Sequence, residues 1–367
     1  MSTLLLALQF ALCAGLIARG GWVLSRSADR IAALTGWSGG WVGLALLATA
    51  TSLPELASGV SAVALLQAPN LAVGNALGAC VFNLFFLAVV DALQRQEPLY
   101  RRASDEHLLS AAFGVVMLGL VAMGVLMAPA MPSLLHIGIY SPVLLALYLL
   151  ALRSVHGHQR TGARAPNSSA RPAGASSTVQ AGAAAAPPAA AATRTPQADP
   201  VAPGITPPQT LAQAISRFTA AAAVVLGAGI WLSTLADQLA LAAGWNRSFV
   251  GTLFMALVTT LPEIAVTLSA LRMGAVDMAI GNLLGSNLFN VAILAIDDAA
   301  YLQRALLADA SPAHAATAMA GVVMTGLVIV GLVLRPRGRV LRLASWVSIG
   351  VAATYVLAAT LVFVRGG

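Results

Sequence analysis

Residues 48–55 read Ala-Thr-Ala-Thr-Ser-Leu-Pro-Glu, and residues 256–263 read Ala-Leu-Val-Thr-Thr-Leu-Pro-Glu. A second matching pair lies downstream. Residues 74–83 read Gly-Asn-Ala-Leu-Gly-Ala-Cys-Val-Phe-Asn, and residues 281–290 read Gly-Asn-Leu-Leu-Gly-Ser-Asn-Leu-Phe-Asn. Matches of Ala and Leu between apolar segments carry little weight. The shared order of Thr, Pro, Glu, Gly, Asn and Phe therefore indicates an internal repeat.

The composition surrounding these motifs is that of a membrane protein. Of 367 residues, 59% are hydrophobic and 9% are charged, whereas soluble domains carry about 25% charged residues. The net charge of +7 comes from arginine alone, since the chain has no lysine. The arginines lie scattered between apolar runs, which is typical of cytoplasmic loops rather than of nucleic-acid binding. Cys13 and Cys80 both lie in apolar stretches, which excludes a disulfide framework or a metal finger.

Ten segments are long and apolar enough to be predicted membrane spans. With an external N-terminus, the loops predicted to be cytoplasmic hold 17 of the 20 arginines, as the positive-inside rule requires. This arrangement also puts the C-terminus outside. The predicted spans are about 3–23, 38–66, 70–92, 107–129, 132–152, 211–236, 247–271, 275–296, 314–334 and 343–364.

A polar segment divides the predicted spans five and five. From about residue 157 it is rich in Ala, Pro, Ser, Thr and Gly without helical periodicity, which predicts a disordered cytoplasmic linker over 153–210. Because each half has an odd number of spans, a repeat between the halves must cross the membrane in opposite directions. The sequence thus predicts an all-α membrane protein of ten helices in two inverted five-helix repeats. The halves are 1–152, with a repeat core of about 38–92, and 211–367, with a core of about 247–296.

Each half contains one glutamate in the middle of a predicted span. Of the 13 acidic residues, only Glu55 and Glu263 fall in the middle of predicted spans, and they occupy equivalent positions in the two motifs. A carboxylate at membrane depth costs at least a few kcal/mol, so it indicates a functional site. A purely structural pair, satisfied by neighbouring hydroxyls, is the alternative. Symmetric placement favours one shared site.

The neighbouring residues supply oxygen ligands. Thr51 lies one helical turn before Glu55, and Thr259 and Thr260 precede Glu263 in the same way. Pro54 and Pro262 each remove a backbone hydrogen bond, which predicts a kink at the acid and releases the carbonyls of the residues four positions earlier, Ala50 and Val258. Carboxylates, hydroxyls, amides and carbonyls suit hard cations such as Ca²⁺ or Na⁺.

These motifs resemble the two α-repeats of the sodium/calcium exchanger family, within the cation/Ca²⁺ antiporter superfamily. The resemblance is strong over about 1–92 and 230–296. It implies antiport by alternating access, in which the first and sixth helices slide over the others, with four ion positions around the two glutamates. It also implies backbone carbonyl ligands at Ala48 and Ala256. The implied side-chain ligands are Thr51, Ser52, Glu55, Asn83, Thr259, Thr260, Glu263, Ser286 and Asn290.

The chain departs from the family pattern at several positions. Ala79 stands where the first repeat usually has serine, and Asn290 stands where microbial members often have aspartate. Ala50 and its counterpart Val258 replace a glycine. Asp91 and Asp298 occupy equivalent positions near helix ends, where they are expected to be either entry-path ligands or solvated residues at the end of a span.

The leading hypothesis is a secondary antiporter that exchanges Ca²⁺ for Na⁺, and not an enzyme. Cation/proton exchange is the alternative, although that branch usually carries an acid where this chain has Ala76 and Leu283. A cation channel is a weaker alternative. No cofactor is expected. The expected partners are the transported Ca²⁺ and Na⁺ ions and the lipid bilayer, without nucleic acid, and the expected location is the inner membrane of a prokaryote.

Overall fold

The long apolar runs fold as helices, because in lipid each backbone N–H and C=O must be satisfied within its own segment. A computed structural model describes residues 3–35, 48–94, 97–127, 132–162, 210–340 and 344–365. A short β-hairpin, whose strands β1 (Ser133–Leu134) and β2 (Ile137–Gly138) have two residues each, lies between two of the helices. The helices of the first half are α1 (Thr3–Thr35), α2 (Ala48–Thr51), α3 (Leu53–Ala64), α4 (Pro69–Leu93), α5 (Leu99–Arg102), α6 (His107–Met127) and α7 (Tyr140–Gly162).

The second half repeats this order. Its helix α8 starts at a capping box, in which Thr210 and Gln213 each accept a hydrogen bond from the other's backbone N–H. A π-helical turn over Val250–Met255 and a 3₁₀ turn over Leu306–Ala308 accompany the α-helices. These helices are α8 (Leu211–Ala243), α9 (Arg247–Phe249), α10 (Ala256–Thr259), α11 (Leu261–Arg272), α12 (Val276–Ala300), α13 (Ala313–Leu334) and α14 (Trp346–Arg365).

The helices that carry the two glutamates are broken, as the prolines predict. The first break falls at Ser52, between α2 and α3, and the second falls at Thr260, between α10 and α11. The segment from Arg247 to Thr259 is bent by 45° relative to α11. Each proline lies in the first turn of the following helix, where its missing N–H is tolerated. Both glutamates therefore lie just beyond a break.

Seven helices in the described part of the chain are long and apolar enough to span a membrane, or eight if the bent pair is one span. Of the remaining predicted spans, the fifth contains a shorter apolar helix, Tyr140–Val155, and the second is described only from Ala48. The protein is therefore a largely helical integral membrane protein, and the count of ten spans stays a prediction. Helix α7 continues to Gly162, so residues 153–162 are helical where the linker was expected to begin. The rest of the expected linker, up to residue 209, lies outside the described residues.

Helices α4 and α12 form the centre of the protein. In α12, 89% of the apolar window is buried inside the protein, against 28% in α1 and in α14. The helix α4 packs closely on the π-helical turn, because a Cβ added at Gly78 would lie only 2.3 Å from the Thr252 carbonyl oxygen. These two buried helices carry the second motif of each half.

Helices α1 and α8 pack against each other and cross the broken helices of the opposite half. A Cβ added at Gly21 of α1 would lie 2.4 Å from the ring of Pro262, and one added at Gly229 of α8 would lie 3.0 Å from the Pro54 carbonyl oxygen. Both glycines therefore permit a backbone approach that no larger residue allows. Gly21 and Gly229 are 208 residues apart, as are Glu55 and Glu263.

Asp91, near the end of α4, is fully buried. It accepts hydrogen bonds from the Leu99 N–H at 2.7 Å, the Ser345 N–H at 2.9 Å and the Ser348 hydroxyl at 2.7 Å. The carboxylate thus ties the loop after α4 to the start of α14 in the other half.

Asp298, near the end of α12, makes the equivalent contacts and is also fully buried. It accepts from the Leu306 N–H at 2.6 Å, the Gly138 N–H at 2.8 Å, the Tyr140 hydroxyl at 2.8 Å and the Ser141 hydroxyl at 2.5 Å. The loop that it fixes also contains the ion pair of Arg304 and Asp309, whose hydrogen bond holds the pKa of Asp309 below its usual range.

The expectation that these two aspartates are solvated at the end of a span is therefore wrong, because both are fully buried. Their oxygens are engaged by backbone and hydroxyl donors, and a role as entry-path ligands stays a prediction. Their partners match across the halves at a constant separation of 207 residues. The matching pairs are Asp91 with Asp298, Leu99 with Leu306, Gly138 with Ser345, and Ser141 with Ser348.

Candidate functional site

The nine residues singled out as side-chain ligands are all fully buried, each with 0% of its surface exposed. They lie on the two broken helices and on the central helices α4 and α12, which pack together. The residues are Thr51, Ser52, Glu55, Asn83, Thr259, Thr260, Glu263, Ser286 and Asn290.

The two motifs contact each other directly at Glu263. The Ser52 hydroxyl of the first half donates a hydrogen bond of 2.9 Å to Glu263 Oε1. The hydroxyls of Thr51 and Ser286 also lie beside this carboxylate. A break in the first-half helix thus supplies polar groups to the acid of the second half.

Glu55 lies in the complementary position, near Glu263 and beside Thr259 of the second half. Asn75 fixes this arrangement. Its Oδ1 accepts from the Thr259 hydroxyl at 3.1 Å, while its Nδ2 donates to the Glu55 carbonyl at 3.3 Å and to Ser58 Oγ at 3.0 Å. The amide therefore joins the break of one half to the acid-bearing helix of the other.

Asn282 is the counterpart of Asn75. Its Nδ2 donates to the Glu263 carbonyl at 3.3 Å and to the Thr267 hydroxyl at 3.2 Å. Sequence reasoning quoted both asparagines as part of a packing motif but assigned them no role. Their position after the first glycine of each motif is the signal that identifies them.

A second amide contact joins α4 to α12. Asn83 Nδ2 donates to Asn287 Oδ1 at 3.0 Å, and Asn287 Nδ2 donates to the Cys80 carbonyl at 3.1 Å. Asn287, which sequence reasoning did not name, thus positions Asn83. Both side-chain polar atoms of Asn290, the counterpart of Asn83, have no hydrogen-bond partner.

Thr260 differs from its counterpart Ser52. Its hydroxyl donates to the Ala256 carbonyl at 2.9 Å and lies 3.2 Å from the Leu257 carbonyl, so it bonds within its own helix rather than to a carboxylate. The Ala256 carbonyl also accepts from the Thr259 hydroxyl and the Thr260 N–H. That carbonyl is therefore already engaged. Ala48, the other backbone ligand expected from the resemblance, is the first residue of α2.

Several buried polar atoms of the site have no hydrogen-bond partner among the described residues. A buried polar group without a partner is strongly unfavourable, and an unpaired carboxylate more so. All but one of these atoms are oxygens, which are the ligands that hard cations prefer. The atoms are Glu55 Oε1 and Oε2, Glu263 Oε2, Asn83 Oδ1, Ser286 Oγ, and Asn290 Oδ1 and Nδ2.

The chemistry of this set fits a cation of the Na⁺ or Ca²⁺ type. It lacks the soft or aromatic nitrogen ligands of zinc and copper sites. In the described part of the chain, no group of three or more His, Cys, Asp or Glu side chains is arranged to hold a metal. Any bound ion would therefore be held by carboxylates mixed with hydroxyls and amides.

A family model described as "Sodium/calcium exchanger protein" matches residues 5–153 and 214–364. This match covers both halves and most of the chain. The chain belongs to the sodium/calcium exchanger family. It is accordingly an integral membrane protein that belongs to a family of transporters.

Two curated relatives match over shorter stretches. The sodium/calcium exchanger MaX1 of Methanosarcina acetivorans is 37% identical over 76 residues, which is 20% of this chain and 21% of that protein. CaxA of Alkalimonas amylolytica is 32% identical over 93 residues, which is 25% of this chain and 29% of that protein. The matched stretches thus span less than a third of the length of each relative.

Solved structures of the sodium-calcium exchanger NCX_Mj match over almost the whole chain. A structure soaked with Na⁺ and Ca²⁺ is 20% identical with a TM-score of 0.58, and one soaked with Na⁺ without Ca²⁺ is 21% identical with a TM-score of 0.57. Each match covers 98% of this chain and 99% of the other. The two proteins share a fold.

Proposed function

We propose that this exchanger transports Ca²⁺ against Na⁺ at a single buried site built on Glu55 and Glu263. The observation that carries the proposal is the set of carboxylate oxygens that are fully buried and have no hydrogen-bond partner among the described residues. Two neighbouring carboxylates without basic partners repel each other and are desolvated, and a bound cation relieves both effects.

The charge of the site limits how many ions it holds. Asn83 and Asn290 are neutral, so the two glutamates supply a charge of −2. One Ca²⁺ or two Na⁺ ions balance this charge, whereas a third Na⁺ would be an uncompensated charge in a buried site. We therefore expect exchange closer to electroneutral than in members that carry the full acidic motif.

The proposed architecture is ten membrane-spanning helices in two inverted five-helix halves. The repeated motifs and the two matching sets of aspartate contacts, each 207 residues apart, support the repeat. The arginine distribution supports N- and C-termini outside the inner membrane of a prokaryote. A midplane site at broken helices is typical of transporters built on inverted repeats.

Alternating access then follows from movement of α1 and α8 over the rest of the protein. These helices contact the broken helices through Gly21 against Pro262 and Gly229 against Pro54. At both contacts the glycine has no side chain that could interlock with the proline-containing turn. We expect them to permit sliding, which opens the site first to one side and then to the other.

Cation/proton exchange is the second candidate, because a glutamate whose carboxylate oxygens have no hydrogen-bond partner, as in Glu55, is able to carry a proton instead of Na⁺. The absence of an acid at Ala76 and Leu283 argues against it. The two candidates differ only in the driving ion.

The test is ⁴⁵Ca²⁺ uptake into proteoliposomes containing the purified protein. Uptake is compared under an outward Na⁺ gradient, an outward proton gradient, and no gradient. We expect Na⁺-driven uptake. Uptake driven only by protons would establish the second candidate, and equal uptake without any counter-ion would indicate a channel.

A further inference from the structure

Asp297, at the end of α12, is a fully buried acid that neither motif contains. Within the part of the chain that the structure describes, neither of its carboxylate oxygens has a hydrogen-bond partner. Its neighbour Asp298 has four, so burial at this end of the helix does not by itself leave a carboxylate unpaired. The equivalent position in the first half is Val90. Asp297 therefore has no part in the symmetric contacts that hold the loops.

The Asp297 carboxylate lies against Gly59 of helix α3. A Cβ added at Gly59 would lie 2.6 Å from Asp297 Oδ2 and 2.8 Å from Oδ1. The missing side chain thus provides the space that the carboxylate occupies. Gly59 follows Glu55 by one helical turn on the same face, a rise of about 6 Å.

Asp297 also lies on the ligand face of its own helix. Ser286, Asn290 and Asp297 are spaced by four and seven residues, so they project from the same side of α12. Asp297 is about 10 Å along the helix from Asn290. Helices α3 and α12 pack against each other, with Gly59 against Asp297, and both helices lead from the central site toward Asp297.

We propose that Asp297 is a third cation-binding carboxylate, which holds a Na⁺ or Ca²⁺ ion beside Gly59 on the path between the glutamate pair and the adjoining ends of α3 and α12. The proposal rests on the proposed function, since the ion is the one that Glu55 and Glu263 transport. It also gives a physical reason for neutral Asn290: the negative charge absent from the central site is present two turns further along the same helix.

The test compares Asp297→Asn with wild type in two measurements. The first is the rise in unfolding temperature of the detergent-purified protein as Ca²⁺ or Na⁺ is added, which reports binding without transport. The second is the concentration dependence of ⁴⁵Ca²⁺ flux in proteoliposomes. At an effective dielectric constant of about 20, loss of one charge weakens ion binding roughly tenfold for Na⁺ and roughly a hundredfold for Ca²⁺ even from about 10 Å away. The ion that Asp297 itself contacts is therefore expected to lose at least this much affinity. A larger loss for the divalent ion is the signature of a charge effect.

Two variants serve as controls. Asp297→Glu keeps the charge and is expected to retain most of the affinity. Asp277→Asn removes a partly exposed acid at the opposite end of the same helix and is expected to bind both ions as wild type does.

Asp297→Asn is expected to fold at least as stably as wild type without ions, because its carboxylate oxygens have no hydrogen-bond donors to lose. Unfolding of that variant, or wild-type affinity for both ions, would overturn the inference and make Asp297 a packing residue. If Asp297→Asn leaves ion affinity unchanged while wild type shows Na⁺-driven uptake, the inference about Asp297 fails and the proposed function is kept. If wild type shows no Na⁺-driven uptake but Asp297→Asn still weakens Ca²⁺ binding, the inference stands with another driving ion.

Discussion

The glutamates at the centre and the aspartates at the helix ends are equally buried but differently satisfied. Asp91 accepts three hydrogen bonds and Asp298 accepts four. Counting partners in the described residues, neither carboxylate oxygen of Glu55 has a hydrogen-bond partner, and only one oxygen of Glu263 does. Both pairs repeat between the halves, so symmetry alone does not distinguish them. The number of donors aimed at each carboxylate separates an acid that holds the fold from an acid that can hold an ion.

The difference also reflects which groups surround each acid. Each end aspartate accepts from two backbone N–H groups, which are fixed donors that carry partial positive charge, as well as from serine or tyrosine hydroxyls. The groups beside the central carboxylates are hydroxyls, such as Ser52 at Glu263 and Thr259 at Glu55, which can turn their oxygens toward a cation. Backbone N–H groups cannot make that change, and they distinguish the end aspartates from the central glutamates.

The largest expected effect is the loss of transport on neutralising either central acid. Glu55→Gln and Glu263→Gln are each expected to reduce Ca²⁺ flux below a tenth of wild type, because the amide keeps the shape but removes the charge that offsets desolvation of the ion. Flux is measured in proteoliposomes. Unfolding temperature without ions is the control, and it should not fall, since Glu55 loses no hydrogen bond. Flux above a tenth of wild type in both variants would contradict the proposal that the two glutamates bind the transported ion.

The opposite outcome is expected at the helix ends. Asp298→Asn should lower the free energy of unfolding by about 2–5 kcal/mol, because an amide nitrogen facing a buried N–H leaves that donor unsatisfied. Asp91→Asn, with one donor fewer, should lower it by about 1–3 kcal/mol. Thermal unfolding in detergent measures both. The fraction that folds should keep wild-type ion affinity, and a stable variant with altered affinity would contradict the structural role.

A smaller effect tests the asymmetry of the central site. Ala79 is fully buried and occupies the position in the first half that is equivalent to Ser286 in the second. Ala79→Ser adds one hydroxyl ligand, which at about 0.5–1.5 kcal/mol corresponds to roughly two- to tenfold tighter Na⁺ binding. The family resemblance assigns this position to Na⁺, so Ca²⁺ affinity should change less. The measurement is the Na⁺ dependence of Ca²⁺ flux and its response to membrane potential. An unchanged dependence would make Ala79 a packing residue.

The smallest effect is expected from the linker, which carries none of the four acids compared above. Replacing residues 163–205 by a short Gly/Ser segment that spans the same helix ends should leave flux within about twofold of wild type, because loop closure depends only weakly on length. A cysteine introduced at Ser176 tests its location. Labelling of that cysteine from outside intact cells by an impermeant reagent would contradict the predicted cytoplasmic side.

Sequence alone identified the features that depend on local chemistry. Apolar runs specify membrane helices because the bilayer excludes unpaired backbone groups. Pro54 and Pro262 specify the breaks because proline has no N–H to donate. The repeated Glu and Thr positions predicted residues of the two halves that lie near one another, since Glu55 lies near Glu263 and Thr259, and Thr51 lies beside Glu263. Their role as ion ligands stays a prediction.

Only the tertiary structure decided which buried acids are satisfied. Asp91 receives donors from Ser345 and Ser348, more than 250 residues away, and no local pattern encodes such a contact. Asp297 and Asp298 are neighbours in sequence, yet one is unpaired and the other accepts four hydrogen bonds. Adjacent residues on a helix point in directions about 100° apart and meet different elements. Sequence thus fixes which groups are present and on which face they lie, whereas the packing of distant helices determines whether each one meets a donor.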